Sequence, residues 1–211
     1  MNKKHPFLKL ALAVLALTAW QATAVAEEAA KGGQPLGAAV AAEQAYAKGV
    51  KLAPFTLNGV TVTQDRSKPE LADFKDPSVR LCPPFCVQPA ELPGMTTIKL
   101  EDFARLAPDI NSGKILIVDM RTPDWYAKGT LPGAINLPYS DLTGQETKAK
   151  AKMKKLEGKD VIGFCNGWWC GQSPTGLKAL VNLGFKGKLY YFRGGNQDWE
   201  DAGLHLSPPK P

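Results

Sequence analysis

Histidine is almost missing from this chain: among 211 residues only His5 and His205 carry an imidazole. With His5 in a leader-like segment and His205 in a Pro-rich tail, Ser/His/Asp and Cys/His mechanisms and histidine-rich metal sites are excluded. Haem attachment is excluded too, because no Cys-x-x-Cys-His run occurs. Strong charge is lacking: the formal charge is +6, and it falls to +3 if Lys3, Lys4 and Lys9 are removed with a leader. The one dense basic stretch, Lys148, Lys150, Lys152, Lys154 and Lys155, reads as a solvated helix face, so no nucleic acid partner is expected. Beyond the first 26 residues no apolar run approaches the ~20 residues that span a bilayer.

The start of the chain has a recognisable pattern. Lys3 and Lys4 make a basic opening, residues 10–20 are apolar and uncharged, and Ala24-Val25-Ala26 offers a small-residue cleavage site. Residues 1–26 are therefore expected to be a cleavable signal peptide. The mature chain then begins at Glu27 as a soluble protein of a bacterial periplasm, with no membrane association after cleavage.

About 185 mature residues suffice for one domain with a good core plus an extension. Residues 27–50 are rich in Ala, Glu, Lys and Gly, with a short helix near 38–47, and much of this stretch reads as a spacer. Residues 52–94 hold seven prolines and read as an irregular extension, with a hairpin at 56–62 around Asn58-Gly59. From Met95 the pattern alternates. Extended segments fall at 96–100, 114–119, 134–137, 161–164 and 188–192, and helical ones at 101–106, 123–127, 148–156, 174–183 and 197–202. Such alternation predicts an α/β domain over residues 95–206: a mostly parallel sheet with helices on both faces, its ligand site beyond the carboxyl ends of the strands. Residues 207–211 are a tail.

Cys165 stands at such a strand end. Residues 161–164 are apolar, Cys165-Asn166-Gly167-Trp168-Trp169-Cys170-Gly171-Gln172 form a loop, and Ser173 and Pro174 suit the N-cap and first position of a helix. Unpaired amides and the positive dipole end of that helix favour an anion. A cysteine held there has its pKa lowered from about 8.5. Gly167 and Gly171 are expected to turn loop amides inward at positive φ.

These segments resemble the rhodanese-like sulfurtransferases. The resemblance rests on Ile117-Val118-Asp119-Met120-Arg121, on the run from Gly129 through Pro132-Gly133 to Asn136, on the cysteine loop, and on Arg193-Gly194-Gly195 with Trp199 and Gly203. It implies that Cys165 takes a sulfane sulfur from thiosulfate, a polysulfide or a persulfide, holds it as a persulfide, and passes it to a thiol or protein acceptor, with no cofactor. Asn166, Gly167, Trp168, Trp169, Gly171, Gln172 and Ser173 are the expected substrate cradle. Asp119 and Arg121 are expected to be structural, and Gly194 and Gly195 to turn the chain close to the loop. The sequence departs from the family at Thr130, where a histidine is usual, and at Cys170, where the loop often ends in arginine. No residue from Cys165 to Ser173 is charged, so a grip on doubly charged thiosulfate is expected to be weak, and phosphatase chemistry is disfavoured.

Cys170 reads as a second catalytic cysteine that resolves a persulfide on Cys165, as a packed thiol, or as a bridge to Cys82 or Cys86. Cys82 and Cys86 suit a structural disulfide better than half of a zinc site. Trp168 and Trp169 form either an exposed lip or a pair buried under the extension. Two rival functions stay open: a thiol-disulfide redox protein using Cys165 and Cys170, and a non-catalytic binding module.

Overall fold

The computed structural model describes residues 34–68 and 74–209, so the expected signal peptide lies outside the described residues. Among the described residues, the elements that precede the main sheet include β1 (Gln34–Pro35), α1 (Gly37–Gly49), the hairpin strands β2 (Phe55–Leu57) and β3 (Val60–Val62), and β4 (Leu81–Cys82), which pairs antiparallel with β1. The hairpin is the expected one, because Asn58 (φ 49°) and Gly59 (φ 83°) take the left-handed conformations a two-residue turn needs. The short helix expected near 38–47 is α1, but it is no spacer: it lies against the last helix of the domain and buries Ala47 in the core.

Then follow β5 (Thr96–Ile98), α2 (Asp102–Asn111), β6 (Ile115–Asp119), α3 (Pro123–Ala127), β7 (Ile135–Asn136), α4 (Tyr139–Thr143) and α5 (Glu146–Met153). The chain ends with β8 (Asp160–Phe164), α6 (Gln172–Asn182), β9 (Leu189–Phe192) and α7 (Gly195–Asp201). The five strands from β5 to β9 form one parallel sheet in the order β5-β9-β8-β6-β7, with Ile117 opposite Ile162 and Ile162 opposite Tyr190.

Strand alternation sends Ile115, Ile117, Ile162, Phe164 and Phe192 to one face, where Phe103 and Ile110 of α2, Trp199 of α7 and Leu57 of the hairpin cover them. Val118, Val161, Leu189 and Tyr191 face the other way, onto Leu142 of α4 and Leu177 and Leu180 of α6. Central β8 is covered on both sides, which is why its sequence is an unbroken apolar run. Gly163 is required there: a Cβ would lie 2.7 Å from Leu177, and its absence lets α6 seat against the sheet.

Two elements differ from expectation. Helix α2 continues through Pro108 to Asn111, because burial of Ile110 outweighs the lost backbone hydrogen bond. Helix α4 begins after Pro138, in a stretch whose periodicity is too short to announce it.

Candidate active site

Three strands release their chains at the same edge of the sheet: β8 delivers Cys165, β6 delivers Arg121 just past Asp119, and β9 delivers Arg193-Gly194-Gly195. Cys165 is 1% exposed. The loop folds back on itself through Cys170 N–H to Gly167 O (2.9 Å), and the Cys165 thiol reaches the Cys170 carbonyl (3.2 Å). Ser173 is not the N-cap expected of it. Helix α6 starts two residues earlier than expected, at Gln172 after Gly171, and the freed Ser173 hydroxyl donates to Cys165 Sγ at 3.1 Å.

Burial by itself pushes the Cys165 thiol up, but hydrogen bonds from Cys170, from the Ser173 hydroxyl and amide, and from the Gly167 amide outweigh it and hold the pKa at about 7, below its ordinary 9.0. Cys170 moves the other way: its hydrogen bond to Cys165 and its own burial raise it well above the ordinary value. Cys165 is thus the more acidic thiol of the pair, and Cys170 the one that keeps its proton. Both are free cysteines, while Cys82 and Cys86 are joined as a disulfide across the turn that follows β4.

The glycines act differently from expectation. Neither Gly167 nor Gly171 has positive φ. Gly167 is needed for close approach, since a Cβ would lie 2.8 Å from Gln197 Cβ and 2.9 Å from the Trp169 indole nitrogen. Gly171 has room around it. The left-handed residue is Gly195 (φ 54°), whose missing Cβ would sit 2.1 Å from the Cys165 carbonyl oxygen. That approach lets the amides of Asn196 and Gln197 donate to the carbonyls of Cys165 (3.1 Å) and Asn166 (2.8 Å). Gly194 leaves room for the Asp198 carboxyl, which would be 2.0 Å from a Cβ there.

Asp119 and Arg121 are fully buried and form the support of the loop. Arg121 donates to Asp119 from Nε (2.9 Å) and Nη2 (2.6 Å), to the Gly129 carbonyl (2.6 Å), and from Nη1 to Asn166 Oδ1 (3.1 Å), the neighbour of Cys165. With the Asn196 amide presenting its oxygen, Arg121 also reaches α7, at 2.9 Å from Nη1. Thr130 stands where the family usually has histidine and donates to Asp119 at 2.7 Å. Asn136 ties the carbonyls of Asp119 and Arg121 (both 2.9 Å).

The extension roofs the loop. Trp168 and Trp169 are fully buried, which settles their two readings: they pack in a cluster with Leu36, Val40, Phe74, Cys165 and Cys170. Arg80 lies 3.8 Å above the Trp169 ring, Phe85 meets that ring edge-on at 5.6 Å, and the Gln88 amide donates to the Trp168 carbonyl (2.8 Å). Arg193 donates to the Gln88 carbonyl (2.9 and 3.0 Å) and pairs with Glu43 of α1. Gln88, Asn196, Gln197 and Phe74 escape sequence reasoning, because nothing in their local pattern announces contacts more than a hundred residues away or across two loops.

Residues 102–202 match the family described as Rhodanese-like domain. Over 114 residues the chain is 29% identical to the thiosulfate:glutathione sulfurtransferase of Homo sapiens, covering 50% of this chain and 94% of that one. It is 28% identical over 101 residues to an HTH-type transcriptional regulator of Mycobacterium tuberculosis, covering 47% of this chain and 41% of the regulator. The solved thiosulfate sulfurtransferase from Pseudomonas aeruginosa is 22% identical with a TM-score of 0.43, covering 55% of this chain and 21% of that one. The chain thus spans less than half of the regulator and about a fifth of the solved enzyme. This protein carries a rhodanese-like domain, an α/β sheet domain with its cysteine loop at the carboxyl edge.

Proposed function

We propose that the protein is an exported, periplasmic sulfurtransferase whose nucleophile is Cys165. The observation that carries this reading is the Cys165 sulfur itself, held at a pKa of about 7 by donors from Ser173, Gly167 and Cys170 inside an uncharged loop. A thiolate so placed attacks the outer sulfur of a sulfane donor. With thiosulfate the S–S bond breaks, sulfite leaves with the bonding pair, and Cys165 keeps the transferred sulfur as a persulfide anion. A thiol acceptor then attacks that outer sulfur and releases the Cys165 thiolate. The donors that support the thiolate also suit the persulfide, whose charge is the same.

The loop lacks a cation to match the two charges of thiosulfate, which favours polysulfide or persulfide donors. Because Cys165 is buried beneath residues of the extension, entry of any donor requires those residues to shift. The test is intact mass after mild reduction and exposure to thiosulfate or polysulfide. The wild-type protein gains one sulfur atom and Cys165→Ser gains none; equal masses in both would reject the reading. A dithiol role for Cys165 and Cys170 is a second reading, favoured by the hydrogen bond between them.

A further inference from the structure

We propose that the Cys82–Cys86 disulfide is a redox-active site that relays reducing equivalents from an external dithiol to the buried Cys165/Cys170 pair. The starting point is a mismatch in access. Cys165 and Cys170 are 1% and 6% exposed, whereas Cys82 and Cys86 are both partly exposed. With the covering residues in place, a disulfide between the inner cysteines is far less accessible to a solution reductant than Cys82–Cys86, since exchange needs a thiolate to reach a sulfur.

The outer pair is placed to bridge that gap. Cys82 packs against the apolar cluster that contains Cys165 and Cys170. On the other side of the turn, the Gln88 side-chain amide donates to the Cys86 carbonyl (2.7 Å) and lies 3.7 Å from where a Cβ on Gly171, the residue after Cys170, would be. The bond is also a poor clasp for the extension. It joins residues only four apart, where loop closure contributes least, and it crosses to nothing in the domain. The extension is held by other means, through Gln88, Arg193 with Glu43, and the packing of Leu36, Val40 and Phe74. The disulfide can therefore open and close while the roof stays seated.

The need for a relay rests on the proposed sulfur chemistry. When the Cys170 thiol attacks Cys165 Sγ of the persulfide anion, hydrosulfide leaves and a Cys165–Cys170 disulfide forms: the sulfane sulfur is reduced and the two cysteines are oxidised. An external dithiol then reduces Cys82–Cys86 to two thiols and becomes a disulfide. One outer thiolate attacks Cys170 Sγ, and Cys165, the more acidic thiol, departs as thiolate. The other outer cysteine resolves the mixed bond, restoring Cys82–Cys86 and freeing Cys170.

The test separates this relay from the sulfurtransferase reading, because the inner disulfide is made with diamide and no sulfur donor. Dithiothreitol should then regenerate the free Cys165 thiol at least tenfold faster in the wild type than in Cys82→Ser/Cys86→Ser, followed by timed alkylation and peptide mapping. Two further variants read proximity directly. In Cys86→Ser/Cys165→Ser and Cys82→Ser/Cys165→Ser, one outer cysteine remains with Cys170, and diamide should link at least one of these pairs within the monomer. Equal regeneration rates, or no intramolecular link in either variant, overturns the relay. If the double serine variant fails to fold, the linking result decides alone. Sulfur loading of the wild type by polysulfide, measured on the same preparation, reports separately on the parent reading.

Discussion

The hydroxyl of Ser173 donates to the sulfur of Cys165 at 3.1 Å, from the second residue of helix α6 rather than from its cap. The helix start therefore acts on the Cys165 sulfur through a side chain as well as through an amide. A hydrogen bond to a charged acceptor contributes about 1.5–3 kcal/mol, and one pKa unit corresponds to about 1.4 kcal/mol. Ser173→Ala should raise the Cys165 pKa by about one to two units and slow its alkylation at pH 7 roughly tenfold. The measurement is the iodoacetamide rate against pH. In the wild type the rate should rise through about pH 7, because the reactive form is the deprotonated one. A profile that leaves the midpoint unmoved in the variant rejects the contact as a determinant.

Arg121 supports the loop from below. Its removal leaves the Asp119 carboxylate buried without its partner, a change that costs about 3–5 kcal/mol. Arg121→Ala should lower stability by that amount in urea denaturation. Arg121→Lys should not restore it, since one ammonium cannot reproduce donation to Asp119, Gly129 and Asn166 together. Full rescue by lysine would contradict this account.

Two glycines of the site should respond oppositely to alanine. Gly195→Ala meets a left-handed backbone, which costs about 1–2 kcal/mol, and places a methyl 2.1 Å from the Cys165 carbonyl oxygen. It should destabilise the protein and abolish sulfur loading of Cys165. Gly171→Ala meets no atom nearer than 3.7 Å at an ordinary φ of −81° and should fold and load like the wild type. Comparable damage from both would remove the distinction.

Asp198 sets a pH dependence of stability. It is 5% exposed, and burial first, then the charges of Glu43 and Asp201, push its carboxyl up to about 8 from an ordinary 3.8. The native state thus holds a proton that the unfolded chain releases, so this group's stabilising contribution is full below pH 3.8 and declines until about pH 8. Its slope is at most about 1.4 kcal/mol per pH unit. Asp198→Asn, which keeps the shape without the charge, should flatten the fall in Tm between pH 5 and pH 8 and raise Tm at pH 8. An unchanged slope would show that Asp198 is not the titrating group.

The amino-acid sequence by itself determined the parallel α/β domain, because the apolar runs at 115–118 and 161–164 are long enough only for strands covered on both faces. It also placed Cys165 at the end of a strand, ahead of a glycine-containing loop and a helix. Local chemistry sufficed for the hairpin, where Asn58 and Gly59 accept positive φ. Tertiary structure alone decided how the site is built. Gly195 rather than Gly167 or Gly171 takes the left-handed backbone, because the strain falls where the chain after β9 crosses the Cys165 carbonyl. Ser173 turns to the sulfur instead of capping, because α6 begins two residues earlier than its local signals say. The tryptophans and both inner cysteines are covered by Leu36, Val40, Phe74, Arg80, Phe85 and Gln88, which lie in stretches whose own pattern is too irregular to announce a partner. Patterns of two or three and a half residues are written along the chain, whereas contacts between residues a hundred positions apart exist only once the chain has closed on itself.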